Sequence, residues 1–286
     1  MDFSPNWLDV REPLDAVSRA SGLIAPLAAA MTAHRPARIV DLGAGTGANL
    51  RYLAPLIGGP QEWLLVDNDA ALSAATAVRM RQWAASLGAT IENGSDGLVI
   101  DCGRFACRVR SAGLDLATQT AEFQLPEGAL VMASALLDLV SESWLTRIAK
   151  RCRDSRALLL FALTYDGYVR LVPEDPEDRL ALRLFNEHQL RDKGFGTALG
   201  PAAPDRAIEI LDTAGYQTAR EPSNWRVGPN DTRAQLALLD GWFEAAIEVA
   251  PDATTKLRDW RQRRRSHIDA GRSRLIVGHQ DLLAYL

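Results

Sequence analysis

The chain has 286 residues, of which 47% are hydrophobic and 24% are charged, and this balance is typical of a water-soluble globular protein. Its formal net charge of −4 gives no overall attraction for phosphate backbones, which argues against a nucleic-acid partner. The apolar runs are too short to cross a membrane, and the three cysteines lack metal-ligand spacing, so we expect a cytoplasmic protein without a signal peptide, membrane anchor or bound metal.

Along the chain, short apolar runs alternate with helical patterns. Runs with the length of buried strands lie at 38–42, 63–66, 129–132 and 157–163, and apolar residues recur at helical spacing over 70–87, 142–152 and 204–214. Asp69 is placed to cap the first of these helices, and Gly88 and Gly215 are placed to end helices. The alternation predicts an α/β fold with a mostly parallel sheet covered by helices.

Four segments depart from this alternation. After Pro13, turn-like spacings indicate an amphipathic helix packed on the sheet. Residues 91–116 predict a hairpin that leads into the third strand. Residues 166–204 mix proline, glycine and charge too densely for a core element, and because they leave one strand before the next helix we expect a lid or substrate loop. Residues 258–274 are basic, and a solvated helix face, a subunit contact and an anion-binding patch all stay open.

The segment DLGAGTG follows an apolar strand and precedes a helix, so it exposes backbone N–H groups to a ligand. Gly43, Gly45 and Ala48 satisfy the spacing of a dinucleotide-binding turn, which leaves a nicotinamide-dependent oxidoreductase open. Asp41 favours a different ligand, because a carboxylate beside the turn repels a pyrophosphate but pairs with an ammonium group. S-adenosylmethionine carries such a group and no phosphate.

With Asp41 followed by alternating glycines, the sequence resembles the class I S-adenosylmethionine-dependent methyltransferases that act on small molecules. The resemblance extends along the chain through WLLVDNDAAL, SAGLDLA, LVMASALLDLVSESWL and GRSRLIVGHQDLLAYL. It implies a Rossmann-like, doubly wound, mostly parallel sheet of seven strands with helices on both faces, whose last strand lies antiparallel between the fifth and sixth. It also implies S-adenosyl-L-methionine as cofactor and S-adenosyl-L-homocysteine as product.

The resemblance places the cofactor at the ends of four strands. Asp67, with its neighbour Asn68, would hold the ribose hydroxyls, although Asp67 could instead serve only to start a helix. Asp115 and Leu116 would meet the adenine, and Ser134 follows the fourth strand. The methionine moiety would lie against Asp41 and the turn residues Gly43, Ala44, Gly45 and Gly47.

The acceptor side carries fewer signals, because methyl transfer can proceed by positioning and needs a base only when the acceptor loses a proton. Asp138 lies near the transferred methyl group in the resemblance, and its apolar neighbours require that it be either paired or used in the site. His188 in the expected lid, with Tyr165 and Asp166 at the fifth strand's end, is the candidate for substrate contact or general base. The alternative for His188 is an exposed loop histidine.

Together these observations predict a single domain. Its parts are N-terminal cap helices at 1–36, a cofactor-binding half at 37–164, a lid at 165–203, and the rest of the sheet with a helical extension at 204–286. The predicted function is methyl transfer to oxygen, nitrogen or carbon of a small metabolite, by a monomer or homodimer. Two alternatives stay open: an RNA or protein methyltransferase that docks through 258–274, and a non-catalytic protein that keeps the cofactor pocket.

Overall fold

The computed structural model describes residues 4–31 and 36–286. Within these residues one sheet of ten strands has the order β3-β4-β5-β2-β1-β6-β7-β10-β8, and β9 pairs with β10. The strands are β1 (Ala37–Leu42), β2 (Gly59–Val66), β3 (Thr90–Asn93), β4 (Leu98–Asp101), β5 (Phe105–Ala112), β6 (Leu130–Ser134), β7 (Leu158–Val172), β8 (Gln217–Pro222), β9 (Trp225–Val227) and β10 (Arg274–Tyr285).

The helices of the described residues begin and end where local signals place them. Asp69 caps α4, since its carboxylate accepts the N–H groups of Ala71 and Leu72, and Gly88 ends that helix in the left-handed conformation. None of these helices has both the length and the apolar character that a membrane crossing requires. They are α1 (Pro5–Ser18), α2 (Ile24–Met31), α3 (Ala48–Ile57), α4 (Ala70–Leu87), α5 (Glu142–Asp154), α6 (Asp178–Gln189), α7 (Ala203–Thr213), α8 (Thr232–Val249) and α9 (Thr254–Asp269).

Both faces of the sheet are buried, because alternate residues of its central strands enter different apolar clusters. In β1, Val40 and Leu42 pack with residues of α5 and α7, whereas Ile39 packs with residues of α3 and α4. This alternation follows from the two-residue period of a strand. A third cluster joins the far part of β7 and β10 to α1, α6, α8 and α9.

The strand order confirms the predicted doubly wound fold. Strands β5, β2, β1, β6 and β7 are parallel neighbours, and β10 lies antiparallel between β7 and β8. These seven strands have the arrangement that the resemblance implied. The other three strands are additional to these seven. Strands β3 and β4 pair antiparallel next to β5 and correspond to the hairpin predicted in this region, and β9 pairs with β10.

The prediction that 166–204 holds no core element is wrong. Strand β7 continues to Val172 and pairs with β10 over this stretch, and α6 buries Ala181, Leu184 and Phe185 in the cluster that contains α8. Pro173 and Pro176 lie in the short turn between β7 and α6, while the apolar residues of α6 recur at helical spacing. The composition of the segment as a whole hid this local pattern.

The N-terminal helix also differs from its prediction. It begins at Pro5 and not after Pro13, because Ser4 caps it and a proline in the first turn needs no N–H donor. It packs against β9, which belongs to the sheet, and against α8 and α4. As a result, α1 lies beside the edge at which parallel sheets bind ligands.

Candidate active site

A cleft of about 720 Å³ opens where β1, β2, β6 and β7 end and α1 comes near. Its volume suits a small-molecule site, and its position is the point where the strand order reverses. We distinguish two ends of this cleft. The glycine-turn end is lined by Gly43, Ala44, Gly45, Asp67 and Asp115, and the aromatic end is lined by Trp7, Tyr165, Phe185, Trp225, Trp242 and His279.

The glycine turn is tied to the neighbouring strand. The N–H groups of Gly43 and Ala44 donate to the carbonyl oxygen of Val66 at 2.9 and 3.1 Å. Gly43, Gly45 and Gly47 all have positive φ, between 55° and 80°, which favours glycine at each position. Gly43, Ala44 and Gly45 line the cleft, whereas Gly47 starts α3 and faces the side chain of Met80. Gly47 therefore shapes the turn from behind.

Asp41 lies one layer behind the cleft wall. One carboxylate oxygen accepts a hydrogen bond of 2.7 Å from Asn49, which does line the cleft, and the other has no partner among the described residues. Burial raises the pKa of Asp41 to about 7, against the effects of the Asn49 hydrogen bond and the charge of Arg19. Arg19 in turn donates to Asn49. Sequence reasoning did not single out Asn49, which links Asp41 to the cleft.

Asp67 both lines the cleft and supports the turn. Its two oxygens accept the N–H groups of Gly45 at 2.8 Å and Asp69 at 2.9 Å. A carboxylate has about four acceptor sites, so these bonds leave capacity for the hydroxyl groups of a ligand. Asn68 lies beside it on the cleft wall. The separate cap formed by Asp69 shows that Asp67 is not needed to start α4.

The residues predicted to meet an adenine lie together at the same end. Asp115 accepts hydrogen bonds of 2.9 Å from the N–H of Ala117 and the hydroxyl of Thr118, which hold a turn after β5. Leu116 is buried, and its carbonyl oxygen accepts a hydrogen bond of 2.6 Å from the indole of Trp144. Ser134 at the end of β6 completes this part of the wall. The ends of β5 and β6, which are separated in sequence, therefore meet here.

Asp138 is a buried carboxylate on the cleft wall, only 7% exposed, and its Oδ1 atom has no hydrogen-bond partner among the described residues. Burial raises its pKa to about 6, although backbone amides, including that of Tyr165, and the charge of Arg11 act in the opposite direction. An ionised carboxylate with an unpaired buried oxygen costs free energy unless a ligand donates a hydrogen bond to that oxygen. This geometry suits proton acceptance near neutral pH.

Tyr165 and His188 reach the cleft from β7 and α6. The Tyr165 hydroxyl donates to Asn186 at 2.7 Å, and burial raises its pKa, so it is placed for contact and not for proton removal. His188 lies on a helix and its side chain is 14% exposed, which excludes the exposed-loop alternative. Its ring nitrogens meet Glu248 at 2.9 Å and Lys193 at 3.2 Å.

Asp166 follows Tyr165 but does not line the cleft. Its carboxylate accepts hydrogen bonds from the N–H of Tyr168 at 3.0 Å and from Gln280 at 2.9 Å. Successive residues of a strand point to opposite faces, which is why only one of this pair reaches the cleft.

The aromatic end includes residues that sequence reasoning missed. His279 in β10 lies opposite Tyr165 in β7, is 5% exposed, and has a pKa lowered to about 3 by burial, so its ring is neutral. Its neighbour Trp225 stands in β9. The expected pairing of the last strand with the fifth was the one signal that could have placed His279 near Tyr165. The register of that strand pair could not be read from the sequence.

Three of the seven arginines in the basic stretch 258–274 are paired with carboxylates inside the protein. Arg261 binds Asp240, Arg263 binds Asp175 and Glu177, and the buried Arg264 binds Asp178. These ion pairs hold α9 against α8 and the turn before α6. They give part of the stretch a structural role, which weakens the anion-binding interpretation for these three guanidinium groups.

No family model and no curated protein sequence matches the chain. Solved structures align with most of it. The YcgJ protein from Bacillus subtilis is 13% identical over 93% of this chain and 99% of its own, with a TM-score of 0.47. A SAM-dependent methyltransferase from Geobacter sulfurreducens, in complex with S-adenosyl-L-homocysteine, is 13% identical over 94% and 92%, with a TM-score of 0.45.

The cyclopropane synthase MmaA2 from Mycobacterium tuberculosis is 11% identical over 92% of this chain and 83% of its own, with a TM-score of 0.44. At these identities and TM-scores the likeness assigns no activity to the chain. Function has to come from the cleft itself.

Proposed function

We propose that the protein is an S-adenosylmethionine-dependent methyltransferase that transfers a methyl group to oxygen, nitrogen or carbon of a small molecule. The observation that carries the proposal is the buried carboxylate of Asp41, which lies behind the glycine turn and is hydrogen-bonded by the cleft residue Asn49. A carboxylate with an unpartnered oxygen attracts an ammonium group and repels a pyrophosphate, so this turn favours an amino-acid moiety over a dinucleotide.

The residues of the glycine-turn end suit the methyl donor part by part. Asp41, acting together with Asn49, would hold the methionine ammonium beside the turn residues Gly43, Ala44 and Gly45. Arg19 lines the cleft, and its Nε atom is buried without a partner among the described residues, so it would pair with the methionine carboxylate. Asp67 with Asn68 would bind the ribose, and Asp115, Leu116 and Ser134 would surround the adenine.

The bound donor would supply a methyl carbon activated by a positive sulfur. The protein would contribute alignment of the acceptor with that carbon, exclusion of water by α1, and an acceptor for a proton at Oδ1 of Asp138. Segment 165–203 contributes Tyr165, Phe185 and His188 to the cleft wall, and we propose that it is the lid or substrate-binding segment of a single domain. The three free cysteines support a cytoplasmic location, and we propose a monomer or homodimer there.

Calorimetry with S-adenosylhomocysteine and NAD⁺, followed by methyl labelling, tests the proposal. We expect S-adenosylhomocysteine to bind and NAD⁺ to bind at least about tenfold more weakly. Label from S-adenosylmethionine in a fractionated extract should then enter a small molecule. Preference for NAD⁺ would replace the proposal with an oxidoreductase, label in RNA or protein would favour the macromolecular alternative, and cofactor binding without any transfer would favour a non-catalytic protein.

A further inference from the structure

Six rings form a continuous arc at the aromatic end of the cleft. Neighbouring rings lie 5.0 to 6.3 Å apart between centroids, in the order Trp7, Trp225, His279, Tyr165, Phe185 and Trp242. All five contacts between neighbouring rings are edge-to-face or tilted, so ring edges and ring faces alternate along the wall. Such a surface favours an inserted planar ring, which can make the same stacked and edge contacts.

Two buried polar atoms without partners interrupt this apolar wall. One is Oδ1 of Asp138, whose carboxylate is hydrogen-bonded by the backbone amide of Tyr165, and the other is Nδ1 of His279. Both residues are more than nine-tenths buried and line the cleft. Each atom needs a hydrogen-bonding group from a ligand, because an unsatisfied buried polar group costs free energy. The ligand must therefore be polar at the position of Asp138.

The charges around the arc favour a neutral ligand. Arg11 lies 5.0 Å above the Trp225 ring and is paired with Asp15, so the aromatic face that would best bind a cation is already covered. Lys193 lines the cleft, and its charge acts on Asp138. A cationic ligand would be repelled by Lys193 and Arg11. An extended anion would meet Asp138 and Asp15.

We propose that the acceptor is a neutral, planar aromatic molecule whose hydroxyl group donates to Asp138 while its ring lies against the aromatic arc. This inference deepens the proposed function and rests on it for the reaction. The hydroxyl proton moves to Oδ1 of Asp138, and an oxygen lone pair forms the new bond to the methyl carbon. The electron pair of the breaking carbon–sulfur bond returns to the donor sulfur, which becomes a neutral thioether.

Binding of matched probes tests the proposal without turnover. The protein saturated with S-adenosylhomocysteine is titrated with 2-naphthol, with 2-methoxynaphthalene, which lacks the hydroxyl proton, with the saturated alcohol 2-decalol, and with a naphthylmethyl-trimethylammonium cation. We expect 2-naphthol to bind about tenfold more tightly than each of the others, measured by calorimetry and by saturation-transfer NMR.

Variants separate the hydroxyl contact from the ring contact. Asp138→Asn should weaken 2-naphthol about tenfold and the methyl ether less than about twofold. Phe185→Leu should weaken both aromatic probes several-fold, and Trp7→Leu provides a second test of the arc if Phe185→Leu unfolds. Tyr168→Leu, an exposed aromatic residue on the same strand as Tyr165, is the control and should change neither affinity.

The inference is overturned if 2-decalol or the cation binds as tightly as 2-naphthol. It is also overturned if no aromatic probe binds a protein that does bind S-adenosylhomocysteine, and that result leaves the proposed methyl-donor site intact. Failure to bind S-adenosylhomocysteine, with 2-naphthol still bound, would instead remove the proposed function and keep the aromatic hydroxyl site.

Discussion

The two ends of the cleft are built in different ways. The glycine-turn end consists of a tight backbone turn and short polar side chains, supplied by successive strand ends between Gly43 and Ser134. The aromatic end consists of large side chains from α1, β7, α6, β9, α8 and β10, spread from Trp7 to His279. One end therefore depends on local chain geometry, and the other depends on how distant elements pack.

This difference teaches which changes each end tolerates. At the glycine-turn end, recognition requires particular charges at particular atoms, so single polar substitutions should have specific effects on cofactor affinity. At the aromatic end, burial spreads over several rings, so one ring can be reduced in size with a smaller loss. Asp138 lies between the two ends, and its removal should affect turnover more than the binding of either ligand.

The largest expected effect is that of Asp138→Asn on turnover. Loss of a proton acceptor should lower kcat by about 100-fold or more, while affinity for S-adenosylhomocysteine stays within about threefold of wild type. Because burial raises the pKa of Asp138 to about 6, the wild-type kcat/KM should rise with pH below about 6 and level off above it. Initial rates from pH 5 to 8 measure both quantities.

Asp166→Asn is the matched control for this prediction. It removes a carboxylate of β7 that lies next to Tyr165 but outside the cleft, so kcat should remain within about threefold of wild type. If Asp138→Asn retained full turnover with an unchanged pH profile, Asp138 would not be the proton acceptor between the two ends of the cleft.

The second effect is the loss of cofactor affinity in Asp67→Ala. This change removes the proposed acceptor of the ribose hydroxyls and the partner of the Gly45 N–H, so S-adenosylhomocysteine affinity should fall about 30-fold or more. Asp69→Ala, two residues away, is the control. It should lower the free energy of unfolding by about 1 kcal/mol through the lost helix cap and leave affinity within about threefold.

Equal affinity losses in the two variants would show that Asp67 affects binding only through the shape of the loop between β2 and α4 and not as the acceptor of the ribose hydroxyls. Calorimetry for affinity and chemical denaturation for stability separate the two results.

Asp41→Asn should have opposite effects on stability and on binding. The pKa of Asp41 is raised to about 7 in the folded protein, so the folded state holds this proton more tightly than the unfolded state. Its contribution to stability is therefore lost as the pH rises from about 4 to about 7. The variant keeps the shape without the charge, so above pH 7 it should gain about 2 kcal/mol of unfolding free energy.

The same variant should bind S-adenosylhomocysteine about tenfold more weakly at pH 8, because the ammonium group loses its charged partner. Asp101→Asn, at the exposed end of β4, should show neither change. Denaturation and titration from pH 5 to 8 provide the measurements. If Asp41→Asn were less stable than wild type at pH 8, burial of the ionised Asp41 carboxylate would not cost free energy as we expect.

The smallest effect concerns α9, which lies outside both ends of the cleft. Arg263→Gln removes a partly exposed ion pair with Asp175 and Glu177, so the free energy of unfolding should fall by about 1 kcal/mol or less. Activity should be unchanged and should not decline steeply with added salt. Arg258→Gln, at an exposed position on the same helix, is the control and should be neutral. If wild-type activity fell steeply with added salt, and either variant lost this dependence, the result would favour the RNA or protein methyltransferase alternative.

Local pattern was enough to predict much of the glycine-turn end. The strand, turn and helix around Asp41, the cap at Asp69 and the strand end at Asp67 depend on neighbouring residues, and all lie where the pattern placed them. By contrast, α6 was hidden inside a segment of mixed composition, and Asp166 could not be separated from Tyr165 before the direction of β7 was known. Asn49 escaped notice because its role depends on the buried position of Asp41.

The sequence by itself determined the central parallel strands with the helices between them, and the glycine turn with its acidic residues. These features follow from hydrophobic periodicity and from backbone preferences that act over a few residues. Only the tertiary structure decided which rings line the aromatic end of the cleft, because Trp7, Trp225, Trp242 and His279 are brought together by packing and strand register. Such contacts depend on distant chain segments meeting, and no short stretch of sequence encodes that meeting.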